Sequence, residues 1–148
     1  MDNKFSNLAR RISILDRLML KYYNHELAAY EIGWGQQFYV SYLFDHPGAP
    51  AQEVAEHMRV DKATLAKNVK KLLSLEYIRI ETDESDRRIK HLYLTDKAVP
   101  VVMQIQKIHN NFYQILNRSI SQQAVQVAEQ SMEQMIKNIY QEIEKWEA

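Results

Sequence analysis

The stretch from residue 51 to 77 does most to limit how this chain can fold. "AQEVAEHM" and "DKATLAKNVKKLLSLEY" each carry a helical period of apolar residues, and only Arg59 and Val60 separate them. Two helices joined by so short a turn form a helix-turn-helix. Asp61 suits the N-cap of the second, its carboxylate accepting from the open amides of the first turn. At 100° per residue, Leu65, Val69, Leu72 and Leu73 share one face, which must be the buried one. Ala63, Thr64, Lys67, Lys70, Lys71 and Ser74 fall opposite. A small residue and a hydroxyl near the helix N-terminus, flanked by long cations, suit a helix inserted into a major groove. An amphipathic helix with its lysines in water explains the wheel equally well, so the neighbouring segments have to separate the two.

After the second helix, "YIRIE" and "IKHLYLT" alternate apolar and polar, with Tyr77, Ile78 and Ile80 on one arm and Ile89, Leu92 and Leu94 on the other. They are expected to form two antiparallel strands. Their tip is highly charged: residues 81–90 hold four acidic and three basic side chains. A helix-turn-helix followed by a two-stranded hairpin is a winged helix, and the hairpin can reach the groove beside the one the helix occupies. Upstream, His46-Pro47-Gly48-Ala49-Pro50 is a turn with Pro50 at or just before a new helix. The segment "QQFYVSYLFDH" before it is apolar almost all round, at Phe38, Tyr39, Val40, Tyr42, Leu43 and Phe44, and belongs in the middle of the packing.

Long helices flank this centre. Phe5, Leu8, Ile12, Leu15, Met19 and Tyr22 mark one apolar stripe on a helix from about Asn3 to Tyr30, interrupted by Gly33-Trp34-Gly35. Thr95 is expected to cap a helix with apolar Ala98, Val101, Ile105, Ile108, Phe112 and Ile115. A last helix starts near Ser121 with Val125, Ala128, Met132, Met135, Ile139, Ile143 and Trp146. The first, fifth and sixth helices carry more apolar surface than one small domain covers, and a second copy of the chain is the natural remedy; an intramolecular bundle is the alternative.

Inventory excludes several kinds of chemistry. The 148 residues include no cysteine, so disulfides, thiolate metal sites and cysteine nucleophiles are out. There is no glycine-rich phosphate loop, zinc-binding histidine pair or nucleophile elbow, and the five histidines never fall at i and i+4 on one expected helix. Catalytic residues, metal ligands and cofactors are therefore not expected. The longest wholly apolar run, "VPVVM", is too short to span a membrane, and the N-terminus does not read as a secretion signal; the expected location is cytoplasmic. Net charge is formally zero, which alone argues against nucleic acid. Its distribution argues for it: Arg59 to Lys71 holds five basic residues against one acidic, whereas Arg118 to Ala148 holds three against five.

The run from Pro50 to Thr95 resembles the core of the MarR family of bacterial transcription regulators. Its most specific part is Asp86-Arg87-Arg88 followed by Leu94-Thr95, and the order of elements around it extends the likeness to nearly the whole chain. The resemblance implies a mainly α fold: a winged helix-turn-helix with long N- and C-terminal dimerisation helices, about six helices plus a two-stranded wing. It implies a dimer joined by first and last helices, a pseudo-palindromic operator, and release by a small aromatic or anionic effector. The family's wing aspartate and minor-groove arginine fall on Asp86 and Arg88. Three positions depart from the pattern. Glu76 replaces the usual glycine after the recognition helix, Pro50 replaces a Ser or Thr cap, and Pro100 falls where a helix starting after Thr95 would kink or start late.

The expected organisation is a dimerisation region of residues 1–32 and 96–148 around a DNA-binding region of residues 33–95. Thr64, Lys67, Lys71 and Asn68 are expected at bases or nearby phosphates, and Lys62, Lys70, Arg87, Arg88 and Lys90 mostly at phosphates. Tyr39, Tyr42, His109 and Tyr113 are the polar-tipped candidates for lining an effector site. The function expected is a ligand-responsive repressor acting as a homodimer on double-stranded DNA. The alternative is a helical protein-interaction module that keeps the fold without reading DNA.

Overall fold

The computed structural model describes residues 4–147; the expected helix start at Asn3 and the side chain of Phe5 lie outside the described residues. The chain divides into two compact units, Met1–Ile108 and His109–Ala148. In order, the elements are α1 (Lys4–Leu27), a 3-10 turn (Ala28–Tyr30), α2 (Trp34–Asp45), β1 (Ala49–Pro50), α3 (Ala51–Met58), α4 (Lys62–Ser74), β2 (Ile78–Thr82), β3 (Lys90–Leu94), a second 3-10 turn (Asp96–Ala98), α5 (Val99–Leu116) and α6 (Gln122–Glu147). The mainly helical winged fold, with six α-helices among the described residues, is as expected.

Gly33 does not merely interrupt a helix. It is the N-cap of α2 and has no side chain to accept from the first turn, so neighbours serve the open amides: the Gly33 N–H donates to Gln36 Oε1 (2.9 Å), and the Trp34 N–H donates to Asn24 Oδ1 near the end of α1 (2.9 Å). A Cβ on Gly33 would collide with that Asn24 side chain. From this start α2 buries Tyr39, Val40, Tyr42 and Leu43 but leaves Phe38 and Phe44 substantially exposed, so it is central without being enclosed. The core of the first unit gathers Leu27, Val40, Leu43, Val54, Leu72, Leu92 and Ile105, each almost wholly buried.

The sheet has three strands, not the two of a simple wing. β1 pairs antiparallel with β3 (Ala49 opposite Leu92, Pro50 opposite His91), giving the order β1-β3-β2. A two-residue strand leaves no alternation in the sequence to detect. Gly48 makes this possible, with φ +80° and a Tyr93 ring that would sit 2.8–3.0 Å from any Cβ there. β2 and β3 pair with Ile78 opposite Leu94 and Ile80 opposite Leu92. Ile78 and Leu92 are buried, whereas Ile80 on the edge strand β2 and Ile89 near the hairpin tip are exposed.

Each departure noted in the sequence has a local resolution. Pro50 is the N-cap of α3 with extended backbone and no side-chain acceptor. α4 ends at Ser74, short of the expected Tyr77. Glu76 adopts the left-handed conformation (φ 61°) that glycine usually supplies, at the local cost that a residue with a Cβ incurs there. The Tyr77 N–H donates to Leu72 O (3.0 Å) and the Glu76 N–H to Leu73 O (2.9 Å), a complete Schellman motif. Thr95 stands at an N-cap position, but its hydroxyl donates to Glu76 O (2.6 Å) and does not cap the following helix. Lys97 Nζ donates to Leu75 O (2.9 Å), so the open carbonyls at the end of α4 are met from across the wing base. Pro100 is accommodated by a late start: the 3-10 turn absorbs residues 96–98, and Pro100 becomes the second residue of α5, where a missing N–H costs nothing.

The long helices remain open to solvent on their apolar sides. In the first unit Leu8, Ile12, Leu15, Leu18 and Leu20 of α1 are all exposed, while Tyr23 and Leu27 are buried. In the second unit Ser121 caps α6 by accepting from the Ala124 N–H (3.1 Å); Val125 is buried, and Met132, Met135, Ile136, Ile139, Tyr140 and Trp146 are exposed.

Candidate nucleic-acid interface

The turn between α3 and α4 sets the orientation of the basic helix. Arg59 closes α3 in the left-handed region (φ 54°), with its N–H on Glu56 O (3.2 Å) and the Val60 N–H on Ala55 O (3.1 Å). Asp61 then caps α4, its Oδ1 accepting from the Thr64 N–H (2.6 Å); these amide contacts hold its carboxyl below the usual range. Leu65 and Leu72 anchor the helix inward. Leu73 does not join them: it sits about 80° around the wheel from Leu65 and is exposed, so the buried face is narrower than expected. Lys62, Ala63, Thr64, Lys67, Lys70 and Lys71 are all exposed on the outward side.

Asn68 has a different position. Its Oδ1 accepts from Gln36 Nε2 (2.8 Å), and its Nδ2 donates to Thr64 O (2.9 Å) and lies 3.4 Å from the Tyr39 hydroxyl. It faces α2 and joins α4 to Gln36, whose side chain caps the start of α2. Lys71 Nζ also reaches Gln36 Oε1, at 3.4 Å.

At the wing tip, Arg88 is folded onto Asp86 through two side-chain bonds, Nε to Oδ1 (3.1 Å) and Nη2 to Oδ2 (3.0 Å). The Arg88 N–H also donates to Asp86 Oδ1 (3.0 Å). These bonds to Arg88 hold the Asp86 carboxyl below its usual range and push the guanidinium up. The Arg88 side chain is 91% exposed, an outward cation with a fixed base. Arg87 is exposed beside it, and Lys90 Nζ donates to Thr82 Oγ1 (2.9 Å).

Two residues outside the expected set build this tip. Asp83 Oδ1 accepts from the Ser85 N–H (2.8 Å), the Ser85 hydroxyl (2.6 Å) and the Asp86 N–H (3.0 Å). Its Oδ2 faces His91 Nε2 at 2.8 Å, and His91 Nδ1 faces Gly48 O at 2.8 Å. The hydrogen bonds from Ser85 and then His91 hold the Asp83 carboxyl well below the usual carboxylate range. The spacing Asp83-x-Ser85 carries an Asx-turn signal that the sequence could have yielded. The His91–Gly48 contact spans 43 positions and carries none.

The effector candidates have distinct surroundings. Tyr39 is buried. Tyr42 is buried too, its hydroxyl donating to Glu53 Oε1 (2.9 Å) and its ring stacked with His46 and His57, each at 4.2 Å between centroids. Those bonds tie α2 to α3. In the second unit His109 is half-buried, which pushes its pKa down, and Tyr113 is half-exposed.

The family model described as the MarR family matches residues 33–90, from the cap of α2 to the start of β3. Along the fold, a MarR protein from Peptoclostridium difficile superposes with a TM-score of 0.89 at 26% identity, covering 96% of this chain and 93% of that one. Over residues 33–90 the chain is similar to the MarR family. Two regulators described as HTH-type are similar in sequence. YybA of Bacillus subtilis is 29% identical over 96 residues, 65% of this chain and 64% of YybA; BilQ of Clostridium symbiosum is 32% identical over 89 residues, 60% of each. The aligned stretch thus spans under two thirds of the length of these relatives. The segment matched by the family model holds the helix-turn-helix and wing tip, where the cations described above are found.

Proposed function

We propose that this protein is a sequence-specific DNA-binding transcriptional regulator, a homodimeric repressor of an inverted-repeat operator whose hold is released by a small aromatic or anionic effector. The observation that carries the reading is the outward side of α4, with Thr64, Lys67, Lys70 and Lys71 exposed, in the same unit as a wing whose Arg88 is braced by Asp86. α4 supplies major-groove contacts, and Lys62, Lys70, Arg87 and Lys90 supply salt-dependent phosphate contacts. Arg88 enters the neighbouring minor groove. Asn68 serves to orient α4 through Gln36.

Dimerisation uses the apolar sides of α1 and α6, with residues 1–32 and 96–148 as the pairing region and 33–95 as the reading region. Two-fold pairing sets the recognition helices about 34 Å apart, one turn of DNA. Such a regulator works in the cytoplasm and performs no catalysis. Tyr39, Tyr42, His109 and Tyr113 are the positions to substitute in locating the effector. Among the described residues no helix is long and apolar enough to cross a membrane. Sequencing of genomic fragments retained by the purified protein tests the reading and returns the operator. Failure to retain any fragment in a salt-sensitive manner rejects it and favours the protein-interaction module.

A further inference from the structure

His91 lies on β3, opposite Pro50 of β1 on one side and Glu81 of β2 on the other. Its two ring nitrogens both face atoms that can only accept. Nδ1 is 2.8 Å from the Gly48 carbonyl, and Nε2 is 2.8 Å from Asp83 Oδ2. Asp83 is an ionised carboxylate, because its other oxygen already receives three donors from Ser85 and Asp86. A neutral imidazole has one N–H and one lone pair, so it can satisfy only one of these two acceptors and must turn a lone pair toward the other. Only the imidazolium satisfies both.

The two acceptors belong to different parts of the molecule. Gly48 is in the turn that leads from α2 into β1, held there by its positive φ and by its N–H on Leu92 O (2.9 Å). Asp83 organises the tip, and the same Oδ1 that binds Ser85 also binds the amide of Asp86, the residue that braces Arg88. The path from the body of the winged domain to the Arg88 guanidinium therefore runs Gly48, His91, Asp83, Asp86, Arg88. We propose that His91 is a positioning residue for the wing: as an imidazolium it ties the Arg88-bearing tip to the α2–β1 turn, and loss of one proton releases one end of that tie. This rests on the proposed DNA-binding role of Arg88.

The surroundings favour the charged form. Asp83 across Nε2 and Glu81 on β2 are the carboxylates that face the ring, and together with the Gly48 carbonyl they push the His91 pKa up. The β1 side offers only Ala49 and Pro50, which carry no charge. On α2 and α3, which also contact β3, Tyr42 and Glu53 are bonded to each other, His46 and His57 stack on Tyr42, Glu56 accepts from Gln52, and Asp45 is exposed. A group with a raised folded-state pKa contributes fully below its ordinary value of about 6.5 and loses its contribution as pH rises through the folded value. The tie is therefore complete below about pH 6.5 and opens as the pH rises through the raised folded-state value.

The test has two arms. In the free protein, imidazole nitrogen shifts and wing amide exchange are followed by NMR from pH 5 to 9. His91 is expected to carry both protons at pH 7, and the amides of Ser85, Asp86 and Arg88 to exchange faster, after correction for intrinsic rates, once it titrates. In the second arm, affinity for the inverted-repeat duplex recovered by fragment sequencing is measured at fixed ionic strength at pH 6 and 8.5. Wild-type binding is expected to weaken by about tenfold for each unit by which DNA raises the His91 pKa. His91→Gln is expected to bind more weakly at pH 6 and to lose that part of the pH slope. A singly protonated His91 at pH 7, or a His91→Gln protein with wild-type affinity and slope, would overturn the proposal. If the wild type binds no duplex, the DNA-binding reading fails, and the NMR arm still decides whether the tie exists.

Discussion

The two cationic regions of the winged domain are built in opposite ways. On α4 the lysines project from an exposed helix face, and their positions come from the helix itself: an Asp61 cap, a Schellman end and two buried leucines. At the wing tip a single guanidinium is held by a carboxylate, which is held by a turn, which is held by His91. Flexible lysines that neutralise phosphates release the counterions condensed on DNA, whatever its sequence, but lose side-chain freedom on contact; a braced arginine has less freedom to lose and suits a narrow groove. The difference teaches that the density of positive charge and the placing of one positive charge are separate tasks, given to separate elements.

The most damaging change to the helical side is Leu72→Ala. Leu72 is wholly buried at the foot of α4, and its truncation is expected to cost about 2–5 kcal/mol, read as the free energy of urea unfolding. On the wing side, Arg88→Ala is expected to leave folding intact and to weaken operator binding by about tenfold or more. Asp86→Asn should reproduce much of that loss with Arg88 still present, which measures the value of bracing. Lys70→Ala is milder: binding weakens to a similar extent on operator and random duplex, and the slope of log affinity against log salt falls by about 1. If Arg88→Ala showed this same uniform pattern, the two regions would not differ in kind. The smallest expected effect is a gain. Glu76→Gly relieves left-handed strain of about 1–2 kcal/mol but adds unfolded-chain entropy worth about 0.5–1 kcal/mol, leaving a net stabilisation of about 0–1.5 kcal/mol in thermal or urea unfolding.

Much of the fold was legible because it rests on local rules. The bounds of α3 are those of "AQEVAEHM", the Asp61 cap is where a carboxylate before a helical run should be, and the start of α6 after Ser121 follows from the same logic. Pro100 allowed either a kink or a late start, since a proline ring excludes the carbonyl four residues back, and α5 starts late. Less legible were positions where two segments distant in sequence compete for one group. Thr95 could have capped a helix, but Glu76 O took its hydroxyl. Asn68 lies beside the lysines on the wheel, but Gln36 and Tyr39 draw it inward.

By itself the sequence determined the alternation of helix, turn and hairpin, the inward and outward faces of α4, and the charged character of the wing tip. Periodicity, caps and turn residues act over a few positions, so a linear reading captures them. Only the tertiary structure decided that β1 would join the wing, that Glu76 and Arg59 would stand in for glycine, and that Asp83 and His91 would govern a tip whose visible feature was Asp86 and Arg88. Each depends on a partner brought from far along the chain: Leu92 for β1, Thr95 and Lys97 for the end of α4, Gly48 for His91. Such partners are chosen by the packing of the whole unit, where burial makes an unmatched donor or acceptor costly.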